Sequence, residues 1–414
     1  MNDFLLYIDP GTGSMLFSIL IGATATLYFL ARAAWMKLKF LVTGNKGAQD
    51  TSAHKYVLYN EDKRYWFVFK PILDAFEKHE TEVTYLTSHK EDKVFESNYK
   101  FVKAEYIGEG NAAFARLNLL SADIVVMTTP GLQVYQLKRS KNVKHYSHLE
   151  HSTGDATMYR LFGLDYFDSV LVTGMYKEKD VRYLEQQRGI AKKEIVSVGC
   201  TYLDVFKEKM EQIPQEENHN FTVLLSPSWG PAAILSRYGE KLLDPLIETG
   251  WNIIVRPHPQ SKISEKEMLD RLTKKYENKQ NLIWDYNGEN IYSMKKADIM
   301  ISDFSGIIYD YTFLCDKPVM YVNADMDLRM YDAYDVPGQK PWQVNAVHEF
   351  GIELKEEQFK NIKEVIQNAS DSKELAEKRA KAKAEAWEHI GTAGEEVYNF
   401  MVNKEKELSK TKSE

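Results

Sequence analysis

Apolar and polar positions alternate along this 414-residue chain in a pattern that predicts strands and helices in turn. Short apolar runs bounded by polar residues or glycine, such as 55–60 and 221–226, are typical of buried strands. Longer segments with apolar residues three or four positions apart, such as 64–80 and 176–189, predict amphipathic helices. Because alternating strands and helices form parallel sheets with helices on both faces, the pattern predicts an α/β fold.

One polar segment interrupts this alternation. Residues 211–220 carry a proline and no apolar periodicity, so they predict a linker between two domains. We therefore expect an N-terminal Rossmann-like domain at 51–210, a C-terminal Rossmann-like domain at 221–400 and a polar tail at 401–414. From Glu356 onward the Ala, Glu and Lys content predicts one or two long exposed helices. Two doubly wound sheets in tandem enclose a cleft, and ligands of such sheets bind beyond the carboxyl ends of the strands.

The N-terminal segment, residues 1–50, has a different character. No charged residue lies between Pro10 and Ala31, and about 20 apolar residues suffice for a membrane-spanning helix. Acidic residues precede this stretch and basic residues follow it, which predicts a single-pass protein of the cell membrane with its catalytic part in the cytoplasm. A cleaved signal peptide is the alternative, but no basic residue precedes the apolar run.

Composition narrows the classes of function. The chain is 44% hydrophobic and 27% charged, which is a globular balance, and its net charge of −7 argues against a nucleic-acid partner. Its two cysteines, Cys200 and Cys315, lack the spacing of metal ligands, so we expect free thiols and no metal site.

Polar residues suited to an anionic ligand follow three predicted strands of the second half. They are Ser226, Arg256, His258, Ser302, Asp303, Ser305 and Gly306. A helix is predicted to begin near Ser305, and the free N–H groups of a helix start, with serine hydroxyls, bind phosphate. Two prolines flank His258, and a histidine there can neutralise a phosphate or protonate a leaving group. A simple N-cap at Asp303 or Ser305 and a structural role for His258 are the alternatives.

In the first half, His148 and His151 lie in a polar stretch that precedes a helical pattern. A base at His151 that faces phosphate ligands on the second domain is what a transferase with a cleft needs. A surface-loop histidine is the alternative, and the local sequence alone favours it.

Two segments of the second half resemble signatures of the CDP-glycerol glycerophosphotransferase family, which includes teichoic-acid primases and polymerases. The first is Arg256-Pro-His-Pro, and the second is Ser302-Asp-Phe-Ser followed by Tyr309-Asp-Tyr and Pro318. The His-Ser-Thr segment at His151 is similar to the His-Gly-Thr segment of that family. The resemblance covers most of the chain after residue 50 and is strongest at 251–322.

The resemblance implies two facing Rossmann-like domains in the GT-B arrangement and an enzyme that needs no cofactor. It implies that an acceptor hydroxyl attacks the phosphorus next to glycerol in CDP-glycerol, with CMP as the leaving group. His151 would be the base, and His258 would steady the diphosphate and assist departure of CMP. Ser302, Ser305 and Gly306 would bind phosphate, with Asp303 shaping that turn and Arg256 adding positive charge. The implied partners are a CDP-polyol donor and a lipid-linked or polymeric envelope acceptor at the membrane.

The chain departs from the family pattern near both candidate sites. Ser152 replaces a glycine after His151, Asp155 lies near the place of a usual lysine, and Gly306 replaces a second serine. Two other functions therefore stay open at this point. One is a GT-B glycosyltransferase or epimerase that uses a UDP-sugar, and the other is a non-catalytic relative that binds a nucleotide or lipid precursor.

Overall fold

The computed structural model describes residues 54–214, 220–323, 327–336, 341–370 and 372–410, and the helical positions 24, 26–28, 30–32, 34 and 35. The predicted membrane span therefore lies largely outside the described residues, and half of the predicted linker, 215–219, does too. Among the described residues, no helix has the length and apolar character needed to cross a membrane.

Seven parallel strands form the first sheet. In chain order they are β1 (His54–Asn60), β2 (Val83–Thr87), β3 (Val102–Tyr106), β4 (Ser121–Met127), β5 (Asn142–Leu149), β6 (Ser169–Val172) and β7 (Glu194–Ser197). Their spatial order is β3-β2-β1-β4-β5-β6-β7. The helices of this half are α1 (Trp66–Lys78), α2 (Asn111–Leu117), α3 (Glu178–Arg188) and α4 (Thr201–Gln212).

Six parallel strands form the second sheet. They are β8 (Thr222–Leu225), β9 (Asn252–Val255), β10 (Leu282–Trp284), β11 (Ile299–Ser302), β12 (Val319–Tyr321) and β13 (Ile352–Glu353). Their spatial order is β10-β9-β8-β11-β12-β13. The helices of this half are α5 (Ile234–Tyr238), α6 (Glu240–Glu248), α7 (Ser261–Ser264), α8 (Lys266–Lys275), α9 (Ile291–Lys296), α10 (Ile307–Cys315), α11 (Trp342–Phe350), α12 (Ile362–Ser370), α13 (Lys373–Ala386) and α14 (Ala393–Lys410). The predicted α/β fold with two parallel sheets is confirmed.

The central strands are buried on both faces, which explains their continuous apolar runs. Val57 and Leu58 point to opposite faces of the first sheet and both are fully buried, as are Leu224 and Leu225 in the second sheet. Helices cover both faces of a parallel sheet, so an apolar residue is needed at every position and not at every second one.

The strand order reverses once in each sheet, and these reversals locate the candidate clefts. Chain connections leave in opposite directions from the adjacent strands β1 and β4, and likewise from β8 and β11. Because the crossover helices then lie on opposite faces, a crevice opens at the carboxyl ends of each pair. Ser302 and Asp303 lie at the crevice of the second sheet.

The last helix returns to the first half of the molecule. Helix α14 packs on α1, and its residues Val397, Phe400 and Met401 belong to the core around Phe69. Gly394 permits this contact, because a Cβ at that position would lie 2.4 Å from the Pro71 carbonyl oxygen. The helix thus continues past residue 400, where the sequence predicted the end of the C-terminal domain and the start of a polar tail. Its apolar stripe is buried against α1.

Strands β5 and β7 were absent from the sequence-based prediction. His148 lies in β5, which corrects the expectation that it belongs to a polar stretch before a helix. This strand contains polar residues because they hydrogen bond inside the sheet: the Ser169 hydroxyl lies 2.7 Å from Ser147 Oγ and 3.0 Å from His145 Nε2. Satisfied polar groups can be buried at little cost, so an apolar pattern was not required.

Candidate functional site

The turn after β11 is held together by Asp303. Its side chain is 3% exposed, and its carboxylate accepts hydrogen bonds from the backbone N–H groups of Ser228 at 2.9 Å and Ile234 at 2.8 Å. Burial raises the pKa of Asp303 above its usual range, and the hydrogen bonds from backbone N–H groups oppose that rise. Asp303 therefore ties the loop after β8 to the turn after β11.

Ser226 and Ser302 meet directly below this turn. The Ser302 hydroxyl donates to the Ser226 carbonyl oxygen at 2.6 Å, and both side chains are buried. This contact links the ends of β8 and β11, the two strands at the reversal of the sheet. The hydroxyl of Ser302 is thus engaged within the protein.

Ser305 and Gly306 stand at the start of α10, and Gly306 is exposed. A cavity of about 220 Å³ opens beside them. Its lining includes Phe304, Ser305, Tyr321, Gln343 and His348. Peptide dipoles aligned along α10 make its first turn electropositive, so an anion is favoured at this end.

The Arg-Pro-His-Pro turn follows β9, the neighbour of β8. The Arg256 guanidinium donates to the Asp285 carboxylate at 2.6 Å and to the Asn287 carbonyl oxygen at 2.7 Å. His258 Nδ1 accepts the Gln260 N–H at 3.1 Å, so Nε2 carries the proton in the neutral ring. Partial burial lowers the pKa of His258, and the nearby Glu265 carboxylate opposes this.

Glu265 connects the turn of His258 to the loop after β8. Its carboxylate accepts the Gly230 N–H at 3.0 Å and the Ser236 hydroxyl at 2.6 Å. The Trp229 ring on that loop lies 6.4 Å from the ring of His258. The structure thus brings together all of the second-half residues that the sequence singled out, at one edge of one sheet.

His151 follows β5, at the carboxyl edge of the first sheet. Its ring contacts Tyr65 edge-on at 4.9 Å and lies 6.2 Å from the ring of Tyr159. Burial, followed by the charges of Lys177 and Arg64, lowers the pKa of His151 to about 4. The imidazole is therefore neutral at physiological pH and can accept a proton.

Nδ1 of His151 is buried without a hydrogen-bond partner among the described residues, which leaves Nε2 as the nitrogen that can reach a substrate. The neighbouring His148 is fully buried, and neither of its ring nitrogens has a described partner. Burial lowers the pKa of His148 well below its usual value, so this ring is neutral too. His148 is closed off from solvent, and His151 is the histidine of this strand end that is placed for chemistry.

The turn that carries His151 is bound to the second half of the molecule through Asp155. One carboxylate oxygen accepts the Thr157 N–H at 2.9 Å, and the other accepts the Trp342 N–H at 2.6 Å. The Asp155 N–H donates to Gln343 Oε1 at 3.0 Å. Because Gln343 also lines the cavity beside Ser305, one side chain joins the turn of His151 to the candidate anion site.

A second connection between the halves lies at Arg188, the last residue of α3. Its guanidinium donates to Asp165 in its own half and to Asp332 and Asp335 in the other, each at 2.7 Å. The Phe162 N–H donates to Asp332 at 2.7 Å as well. The segment 327–336 is thereby attached to residues 159–162, and its Leu328 lines the same cavity.

Several residues of this site were missed by the sequence analysis. Gln343, His348, Glu150 and Lys177 lie in no recognised motif, and only their placement in the fold reveals them. The family pattern has a lysine a few residues after His151, and this chain lacks it. The ammonium group of Lys177 reaches this turn instead, 3.2 Å from the Ser152 carbonyl oxygen. Within the described ranges, no three His, Cys, Asp or Glu side chains group in a way that could hold a metal ion.

Comparison with known proteins identifies the family of this chain. The sequence profile of the family described as CDP-Glycerol:Poly(glycerophosphate) glycerophosphotransferase matches residues 52–402. No curated protein sequence matches.

Solved structures with the same fold include a histidine-to-alanine variant of the wall teichoic acid polymerase TagF. It is 16% identical, with a TM-score of 0.56, over 91% of this chain and 98% of that chain. The UDP-GlcNAc 2-epimerase from Neisseria meningitidis bound to UDP-GlcNAc is 15% identical, with a TM-score of 0.53, over 84% of this chain and 100% of that chain. At these identities the likeness concerns the fold.

Proposed function

Because this chain belongs to the CDP-glycerol:poly(glycerophosphate) glycerophosphotransferase family, we propose that it transfers glycerol phosphate from CDP-glycerol to an acceptor hydroxyl and releases CMP. The observation that carries the proposal is the junction at Gln343. This side chain binds the turn of a neutral histidine and lines the cavity beside a helix start. A base and an anion site on facing halves, as in the GT-B arrangement, are what the transfer requires.

The donor diphosphate binds at the start of α10 in this proposal. The Ser305 hydroxyl and the N–H groups of Gly306 and Ile307 hold its oxygens, as helix starts do in many phosphate sites. The next two N–H groups, of Ile308 and Tyr309, donate to the Ser305 and Gly306 carbonyl oxygens. His258 follows β9, which lies two strands from β11 on the far side of β8, and it presents Nε2–H at the same edge of the sheet. Arg256, Ser302 and Asp303 act by shaping this edge, since their side chains are engaged in the internal bonds described above. Ser226 contributes its carbonyl oxygen to the same edge.

The chemical step is a substitution at phosphorus. The acceptor hydroxyl gives its proton to Nε2 of His151, and its oxygen forms a bond to the phosphorus next to glycerol. The bond from that phosphorus to the bridging oxygen breaks, and CMP leaves with the electron pair. Hydrogen bonds aimed at the leaving phosphate, from His258 and α10, stabilise the charge as it develops.

We extend the proposal to the acceptor and its location. The wall teichoic acid polymerase TagF shares this fold, which supports a polyol-phosphate polymer or its lipid-linked precursor as acceptor. A lipid-linked acceptor suits a single membrane-spanning helix at residues 10–31 with the two sheets in the cytoplasm, because the acceptor end then lies at the inner leaflet.

The test measures CMP release from CDP-glycerol by the full chain in membranes that contain envelope polymer. The wild-type protein should release CMP, and His151→Asn should lower the rate about 100-fold or more, the usual scale for loss of a general base. A thermal-shift panel of CDP-glycerol, CDP and UDP-GlcNAc accompanies the assay. Stabilisation by UDP-GlcNAc alone would contradict the proposed donor, and binding of CDP-glycerol without CMP release would indicate a non-catalytic relative.

A further inference from the structure

A buried ion pair lies directly beside His151. Lys177 Nζ donates to Glu150 Oε2 at 2.5 Å, and the two side chains are 1% and 2% exposed. Neither residue contacts the candidate anion site in the second half. Buried ion pairs of this kind are costly to form, because both charges lose their hydration, so their presence calls for an explanation other than stability.

The pair holds the backbone on both sides of His151. Glu150 precedes His151, and its carboxylate accepts the Thr173 N–H at 3.3 Å, which attaches it to the end of β6. Lys177 also donates to the carbonyl oxygen of Ser152, the residue after His151, at 3.2 Å. The two residues that flank His151 are thus joined through one ammonium group.

The pair also places a positive charge near the imidazole. Lys177 and Arg64 are the charges that disfavour protonation of His151. Tyr65 and Tyr159 face the ring, and His148 is close enough to interact with it electrostatically. Glu150 precedes His151 in the chain, and Asp155 lies in the same turn. Since Glu150 is engaged by Lys177, the ammonium group serves both as a structural brace and as a local charge.

We propose that Glu150 and Lys177 are positioning residues for His151: they fix the turn that carries it and set the charge beside its ring. The inference rests on the proposed function for the reaction itself, although the effect on the imidazole can be measured without turnover. It adds to the transferase two residues that touch neither donor nor acceptor.

The test replaces the pair as a whole. Glu150→Gln/Lys177→Met removes both charges and keeps the side-chain sizes, whereas either single change leaves an unpaired charge in the interior and risks unfolding. The control is Glu185→Gln/Lys193→Met, a second pair of buried charges in the same half, whose charged atoms lie 3.8 Å apart. Glu185 also accepts from Arg182, which keeps its ion pair with Glu178 in this variant. Thermal unfolding of each variant establishes that it is folded.

Two measurements follow on the full chain. The pKa of His151 is read by NMR titration, with its signal assigned from His151→Asn, and the pH profile of kcat/KM for CMP release is recorded. In the pair variant, the pKa of His151 should rise by at least half a unit, and the acid limb of the profile should move to higher pH with it. We also expect kcat to fall about 10-fold, because a loosened base spends less time in reach of the acceptor. Lys177→Arg keeps the charge and should keep the low pKa.

The outcomes separate the two proposals. A folded pair variant with an unchanged His151 pKa and a kcat equal to that of the control would overturn the positioning role. Absence of CMP release by the wild-type protein would overturn the proposed function, while the NMR titration would still decide whether the pair acts on His151. An equal shift in the control variant would show a general effect of lost charge and would also overturn the inference.

Discussion

Asp303 offers the sharpest test of how the candidate donor site is built. The structure makes it a brace for the turn, with two backbone N–H groups bonded to a carboxylate that is 3% exposed. Asp303→Ala leaves the N–H groups of Ser228 and Ile234 without their acceptor. An unsatisfied buried donor costs about 1–3 kcal/mol, so we expect a loss of about 3–5 kcal/mol in the free energy of unfolding.

Asp303→Asn separates hydrogen bonding from charge. The amide retains one acceptor oxygen, so it can keep one of the two bonds, and we expect a loss of about half that size. The measurements are urea unfolding of the full chain and hydrogen exchange at the amides of Ser228 and Ile234. Both amides should exchange faster in the alanine variant, and CDP-glycerol should stabilise that variant less because the turn no longer holds its shape.

Asp270→Ala is the control for this experiment, since Asp270 is exposed and forms an ion pair with Lys266 on α8. Such surface pairs contribute at most about 1 kcal/mol. The reasoning would be refuted if Asp303→Ala unfolded within about 1 kcal/mol of the wild-type protein with unchanged amide exchange. Loss of CDP-glycerol binding in that stable variant would instead assign Asp303 a direct contact with the ligand.

Three further predictions concern other parts of the site. His258→Ala should lower CMP release about 100-fold while CDP-glycerol still binds. The control is His389→Ala, a change at an exposed histidine that should leave the rate unchanged. An unaffected rate in His258→Ala would contradict the proposed role of His258 in the departure of CMP. Burial raises the pKa of Asp310 from 3.8 to about 7. Between these pH values the folded state binds a proton that the unfolded state releases, so the free energy of unfolding should fall as pH rises. Asp310→Asn should abolish this fall in urea unfolding at pH 5 and pH 8, and an equal slope in both proteins would contradict the raised pKa. Gln343→Ala removes the acceptor of the Asp155 N–H, so the free energy of unfolding should fall by about 1 kcal/mol. Turnover measurements should show that kcat falls more than CDP-glycerol binding changes. Weakened binding with an unchanged kcat would instead indicate that Gln343 contacts the donor.

The sequence analysis singled out the strand ends of the second half because their signals are local. A buried parallel strand is a continuous apolar run, and the polar residues that follow it mark the carboxyl edge of the sheet. Ser226, Arg256, His258 and Asp303 follow three such runs, and the structure places them at one edge. The spacing alone could not show that Ser302 and Arg256 are engaged by partners within the protein.

The first half was harder to predict because β5, the strand that leads to His151, is not an apolar run. Strand β5 contains His145 and Ser147, whose burial depends on hydrogen bonds with Ser169 on β6, and it also contains the buried His148. The burial of α14 was missed for a similar reason, since its apolar stripe contacts α1, more than 300 residues earlier in the chain. Patterns within a short window cannot report on partners that only the fold supplies.

The sequence by itself therefore determined the α/β class, the two parallel sheets and the strand ends where an anion could bind, because apolar periodicity and turn chemistry act over a few residues. Only the tertiary structure decided how the two halves meet. Asp155 and Gln343 are 188 positions apart, yet they join the turn of His151 to the cavity beside Ser305. Glu150 and Lys177 likewise become a brace for His151 only when β5 and β6 lie side by side. Contacts of this range depend on which strands are neighbours, and that order is a property of the whole fold.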